Sequence, residues 1–360
     1  MVSLKILAGG YDVFVATYLF DPQTYSLSVA SRSPTGANPS WLSQHPTNAS
    51  ILYAVNENPA GALQSFIINT DGTLSGPQDT ITTGGDSPAF AAALSTGQVG
   101  VMNYNTGDGR IIPITDSPLR FNNDTPVITF PRPAGAVSHP HMVLEHGNEV
   151  FIPDLGQDKI WRLAKSATDP TSFEIQGEIP QPAGSGPRHI AIHDDRLFTI
   201  HELSSTLTVQ AIPSAPNGTS SIISSVSIIP SDPPQGASYA AGEVLIPEPT
   251  ELFPQPYIYA SNRNVGVQDS RGDSIAIFEL VNKGGPDEKL QLINQVYTGL
   301  DQIRGMEFGP AGEDAEEYLV AAGVAGSAGT IVLKRTDGGR NMTVVARNLD
   351  IPTRTSFVWV

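Results

Sequence analysis

A strand-rich phrase recurs about seven times along this chain, beginning near Pro39, Pro88, Pro140, Pro187, Pro249, Arg304 and Thr355. The spacing is roughly 50 residues. A period of that size carrying several short strands specifies a β-propeller, because one such unit cannot bury both faces of its sheet whereas a closed ring of units can. Individual copies are readable as paired strands. Leu52–Asn56 leads to Leu63–Ile68, Val150–Pro153 to Lys159–Leu163, Leu197–Ile200 to Leu207–Ile212, and Tyr257–Ala260 to Ser274–Phe278. The expected fold is therefore an all-β, seven-bladed propeller forming one domain over residues 1–360, with strands from both chain ends closing one blade. Ser356–Val360 is expected to pair with Lys5–Gly9 and Phe14–Tyr18, which removes the exposed sheet edges.

Composition narrows the chemistry. Charged residues make up only 16 %, while 34 glycines and 30 prolines suit many short strands joined by turns. The best helical candidate, Gly312–Tyr318, reads as an acidic inter-strand turn, and Pro230–Gly236 reads as a loop excursion. No stretch approaches the ~20 apolar residues needed to cross a bilayer. A net charge of −16 argues against nucleic acid and anionic membranes as partners. The absence of cysteine excludes disulfides, thiolate chemistry and zinc–sulfur sites. The N-terminus lacks the pattern of a signal peptide, which points to the cytoplasm, or to secretion with a signal already removed.

The functional positions emerge where repeats depart from their own template. The first strands of units one and two begin Pro-Ser-Trp-Leu and Pro-Ala-Phe-Ala; units three and four read Pro-His-Met-Val and Pro-Arg-His-Ile at the same place. In a radial repeat these positions face one channel mouth, so His141, Arg188 and His189 are expected to converge. The second strands end on Asn56-Glu57, His201-Glu202 and Asn262-Arg263. A histidine that takes a proton near neutral pH, a carboxylate and several guanidinium groups suit acid–base chemistry on a small anionic substrate. Catalytic candidates are His141, Glu202, Arg188 and Arg263. Substrate-binding candidates are His139, Glu57, Asn262 and Arg304. Each also has a plain structural use: Glu202 can serve only as the ion-pair partner of Arg188 or Arg263, and His189, His193 and His201 read as structural. Asp154 reads as a turn cap. No serine-nucleophile elbow, P-loop or zinc-protease motif is present. Glu57, Asn103 and Asp154 have no spacing that marks a calcium site, so no metal and no cofactor are expected.

At these motifs the chain resembles the seven-bladed propeller lactonase family, which joins 6-phosphogluconolactonases with fungal carboxy-cis,cis-muconate cyclising enzymes. The matching stretches include Tyr53–Glu57, Ser138–His141, Val150–Gly156, Gly186–His193, Glu202–Thr206 and Tyr259–Arg263. The cyclising enzymes' proposed set of one histidine, one glutamate and two arginines falls on His141, Glu202, Arg188 and Arg263. His139 competes for the histidine, and His141 occupies the better-matching place. The resemblance implies hydrolysis of a sugar-derived or similar acidic lactone, with Arg188 and Arg263 as anchors and His141 as base. Cycloisomerisation of a muconate is the alternative, and a non-catalytic binding scaffold is a third. Oligomeric state is not readable.

Overall fold

The computed structural model describes residues 3–115, 117–169 and 171–360. They form seven four-stranded antiparallel sheets, each built from consecutive strands except the last. Blades one to six take their strands from residues 42–82, 88–129, 144–180, 187–227, 244–297 and 301–348. Blade seven joins Ser356–Trp359 to Leu4–Gly9, Phe14–Asp21 and Ser26–Pro34. Its seam pairs Ile6 with Trp359 and Ala8 with Phe357, so both chain ends are held in one sheet as expected. The expected pairing with Phe14–Tyr18 is indirect: that strand pairs on the far side of Leu4–Gly9.

The strands follow the sequence pattern for a physical reason. A strand between two others, in a sheet packed between two neighbours, is covered on both faces and needs no polar alternation. Ile51–Asn56 and Arg196–His201 are buried at every position. Outer strands show the half-buried pattern instead, as in Ser26–Pro34. Apolar side chains from adjacent blades interlock into clusters; one contains Phe198, Ile200, Val209, Val244, Ile258 and Phe278 from blades four and five.

One expectation needs correction. Blade five begins at Val244–Leu245, ahead of Pro249, because the loop excursion at Pro230–Gly236 displaced the apparent phase of that repeat. Pairing in that blade runs Val244 with Ala260, and Gly242 and Glu243 bond to Ser261 just before it. Gly312–Tyr318 is, as expected, an inter-strand turn with no helix; the only helical turn among the described residues is Asp337–Gly339.

Candidate active site

The first strands of successive blades open with the same local distortion. Pro187 pairs with His201 and His189 with Ile200, leaving Arg188 as an extra residue. Ile303 pairs with Gly323 and Gly305 with Ala322, which makes Arg304 the extra residue of blade six, and Ala89 holds that place in blade two. Such a bulge re-aims the side chain it carries. In blade five, Gly242 N–H donates to Ser261 O, as His141 N–H donates to Pro153 O, while Ser261 N–H donates to Glu243 O; Gly242 therefore holds the bulge slot and Glu243 the place of His189, one residue on. In blade three, His141 follows Pro140, which bridges Asp154 just as Pro187 pairs with His201. One structural position in neighbouring blades thus holds His141, Arg188, Gly242 and Arg304, and the next holds His189 and Glu243.

The loops after the second strands add the remaining groups. Glu202 Oε2 lies 2.9 Å from Arg188 Nε and 2.6 Å from Arg263 Nη2. The Arg188 contact is close but its Nε–H is not aligned as a hydrogen bond, so the attraction there is chiefly ionic. Arg188 is fully buried, and its Nη1 donates to Gly242 O at 2.6 Å. Glycine at 242 is required by the packing of blade five on blade six: a Cβ there would lie 2.4 Å from Ile303 O. Burial, followed by repulsion from Arg263, lowers the Arg188 guanidinium to about 10. Arg263 also donates to the carbonyls of Ala240 and Ala241. Alongside, Glu57 accepts from Tyr11 Oη at 3.0 Å, from Ser40 Oγ, and from Arg304 Nη2 at 3.1 Å.

A histidine layer lies against these ion pairs. His141 is buried, with Nδ1 3.1 Å from His189 Nε2, and His189 Nδ1 is 2.5 Å from Glu243 Oε1. Trp41 and Phe90 meet the His189 ring edge-on. Burial, reinforced by Arg188, holds both imidazoles well below their ordinary range. Burial raises the Glu243 carboxyl to about 8. His139 is half-buried, stacks on Tyr104 with ring centres 4.4 Å apart, and donates from Nδ1 to Tyr104 O at 2.7 Å.

The structure therefore brings Arg188, Glu202 and Arg263 into direct contact and sets His141 within electrostatic reach of all three arginines. Glu57 and Arg304 form a second ion pair coupled to Arg188. Asn262 is placed differently: it is fully buried, and its amide donates to Ile228 O at 2.7 Å, a structural contact. Asp154 does more than cap one turn, since it accepts from Ser138 Oγ, the backbone N–H of His139 and Gly156, and Trp161 Nε1. Asn103 donates to Thr83 O and Asp108. Among the described residues no cluster of three or more histidines and carboxylates forms a metal site. Sequence reading missed Glu243, because the misplaced start of blade five hid its slot. It also passed over Tyr104, Ser40 and Tyr11, and set His189 aside as structural.

Comparison with known proteins agrees with this architecture. Residues 5–359 match the family described as "Lactonase, 7-bladed beta-propeller". A 6-phosphogluconolactonase of Cronobacter sakazakii is 27% identical over 259 residues, covering 70% of this chain and 68% of that protein. The periplasmic gluconolactonase of Pseudomonas aeruginosa superposes with a TM-score of 0.81 at 19% identity, over 100% of this chain and 99% of that one. A protein from Lactobacillus plantarum gives 0.80 at 20% identity over the full length of both chains. At these identities the two structures speak for the fold. The match that runs from Lys5 to Trp359 places the chain in the seven-bladed β-propeller lactonase family.

Proposed function

We propose that this protein hydrolyses a small lactone bearing an anionic or strongly polar group, at the site formed by His141, Arg188, Glu202, Arg263 and Arg304. The observation that carries the reading is a pair of unsatisfied guanidinium donors. Arg188 Nη2 and Arg304 Nη1 are buried and have no hydrogen-bond partner among the described residues. Buried donors left open cost about 1–3 kcal/mol each, so such donors are completed by a ligand oxygen or by water. Two such donors on coupled arginines fit a carboxylate, a phosphate or the oxyanion of a tetrahedral intermediate.

In this reading Arg188 and Arg263 bind the anionic group and the developing oxyanion, while Glu202 fixes both guanidinium groups. His141, neutral because it is buried, is the base that activates water. Water attacks the carbonyl carbon, the ring C–O bond breaks, and the leaving oxygen takes the proton back. The lactonase names of the relatives favour hydrolysis over muconate cyclisation. Against a passive scaffold stands the incomplete burial of the ion pairs, with the Glu202 and Arg263 side chains 18% and 13% exposed.

The test is acid release, followed with a pH indicator, from gluconolactone, 6-phosphogluconolactone and a muconolactone, with His141→Ala and Arg188→Met in parallel. Release from at least one lactone that both substitutions abolish is the expected result. Rates equal to spontaneous hydrolysis across the panel would remove the hydrolase reading for these substrates.

A further inference from the structure

Three neighbouring blades contribute one side chain each to a continuous buried chain: Glu243 from blade five, His189 from blade four and His141 from blade three. The links are 2.5 Å from Glu243 Oε1 to His189 Nδ1 and 3.1 Å from His189 Nε2 to His141 Nδ1. At the far end, His141 Nε2 has no hydrogen bond to any described residue, and it is absent from the buried polar atoms shut off without a partner. We infer that Glu243 and His189 form a proton relay behind His141, so that the charge state of Glu243 sets whether His141 Nε2 presents a lone pair or a proton to the substrate. The inference rests on the lactonase reading above and adds two positioning residues to it.

The hydrogen-bond directions leave two self-consistent states. With Glu243 ionised, His189 Nδ1–H donates to it, His141 Nδ1–H donates to His189 Nε2, and His141 Nε2 is bare. With Glu243 protonated every donor reverses, and His141 carries its proton on Nε2. A lone buried imidazole would become a cation on taking a proton, beside Arg188, Arg263 and Arg304. The relay avoids that state.

The step balances. A water O–H bond breaks as His141 Nε2–H forms. The Nδ1 proton of His141 passes to His189 Nε2, and the Nδ1 proton of His189 passes to Glu243 Oε1. The hydroxide adds to the lactone carbonyl carbon, so the negative charge that began on Glu243 ends on the tetrahedral oxyanion near the arginines. When the ring C–O bond breaks, the leaving oxygen takes the proton from His141 Nε2 and the chain runs backwards. Glu243 returns to its carboxylate, and the product is the hydroxy acid. The carboxyl of Glu243, held up to about 8 by burial, can change state near neutral pH. The charged groups facing the chain are Arg188, Arg263, Arg304 and Glu202 around the two rings, with Glu307 beyond Glu243.

Two measurements test this. The first needs no substrate: ¹⁵N NMR of the histidine-labelled full-length protein between pH 5 and 9. The rings of His141 and His189 should exchange tautomers together, in one transition that Glu243→Gln abolishes. Independent transitions, or fixed tautomers across that range, would overturn the relay even if the variant failed to fold. The second is steady-state hydrolysis of 6-phosphogluconolactone by wild type and Glu243→Gln. The variant keeps an oxygen acceptor for His189 but cannot take a proton. Its kcat should fall by about 10²-fold with little change in KM, losing the rise in rate as pH climbs, and Glu243→Asp should restore part of both. A folded Glu243→Gln protein with wild-type kcat and pH profile would refute the inference. A wild-type protein that hydrolyses no lactone yet shows the coupled tautomer switch would refute the substrate assignment and leave the relay standing.

Discussion

Replacing Arg188 by Met separates a binding arginine from a structural one. The charge on Arg188 is held at about 10 instead of 12.5, by burial and by Arg263. That difference is a folded-state cost of about 3 kcal/mol, net of attraction to Glu202. The unfolded chain holds this proton more tightly, so the cost is complete at neutral pH and fades only as pH climbs from about 10 toward 12.5. Methionine has similar reach and carries no charge, so the cost disappears. What is lost is the hydrogen bond to Gly242 O, and the stranded carbonyl costs about 1–3 kcal/mol. Glu202 keeps Arg263 at 2.6 Å. Gains and losses nearly cancel, so the melting temperature should move by no more than about 2 °C in a chain of this length. Activity has no such compensation. Losing one donor to an oxyanion lowers kcat/KM by about 10²–10³-fold. The assay pairs differential scanning calorimetry with initial rates on the best lactone of the panel. A fall in melting temperature beyond about 5 °C, with residual activity tracking the folded fraction, would show that Arg188 holds blades together and would refute the binding role.

Two further outcomes follow from the buried acids. Asp154→Asn should destabilise the protein by about 3 kcal/mol in urea denaturation, because either orientation of the amide points an NH2 at existing donors; an unchanged midpoint would show that these contacts carry no weight. Glu307 lies on the first strand of blade six, beside a cavity of about 400 Å³ lined by Trp41, Phe90 and Trp359, and burial lifts its carboxyl to about 8. The folded state holds that proton more tightly than the unfolded chain, so its stabilising contribution is complete below pH 4.5 and is lost as pH rises toward 8. Solvent reaches part of the side chain, which reduces a full cost of about 5 kcal/mol to about 2. Glu307→Gln should match wild type near pH 4.5 and exceed it by that margin above pH 8; a margin independent of pH would refute the assignment.

The ring was legible because a propeller repeats its strand grammar, and blades one to four kept the grammar in phase. Blade five broke it. The long loop from Ser227 to Val244 carries its own prolines, and Pro249 looked like the opening of a strand that had already passed. The error concealed Glu243, which has no distinctive neighbour in sequence and gains its meaning only from the bulge beside Ser261. His189 was read as structural because a strand alternates its faces. A bulge suspends that alternation, so Arg188 and His189 both point usefully, one to Glu202 and Gly242 and the other to Glu243 and His141. Asn262 shows the converse: the strand-end position was right, but its amide turns back to Ile228 O.

The same bulge explains how a chain with a net charge of −16 could accommodate the anion-binding site proposed above. At physiological salt the field of surface carboxylates decays over about 8 Å, whereas buried arginines are screened far less. Arg188 and Arg304 occupy the bulge slots of blades four and six, and Arg263 follows the second strand of blade five, so three positive charges face two carboxylates, Glu202 and Glu57. A large polyanion keeps most of its charge among the surface carboxylates and is repelled. A small lactone with one or two negative charges can bring its whole charge to the guanidinium groups. On the proposed function, the repeat that builds the ring would also select for ligand size: only a molecule small enough to enter the ring's mouth would reach the guanidinium groups held there.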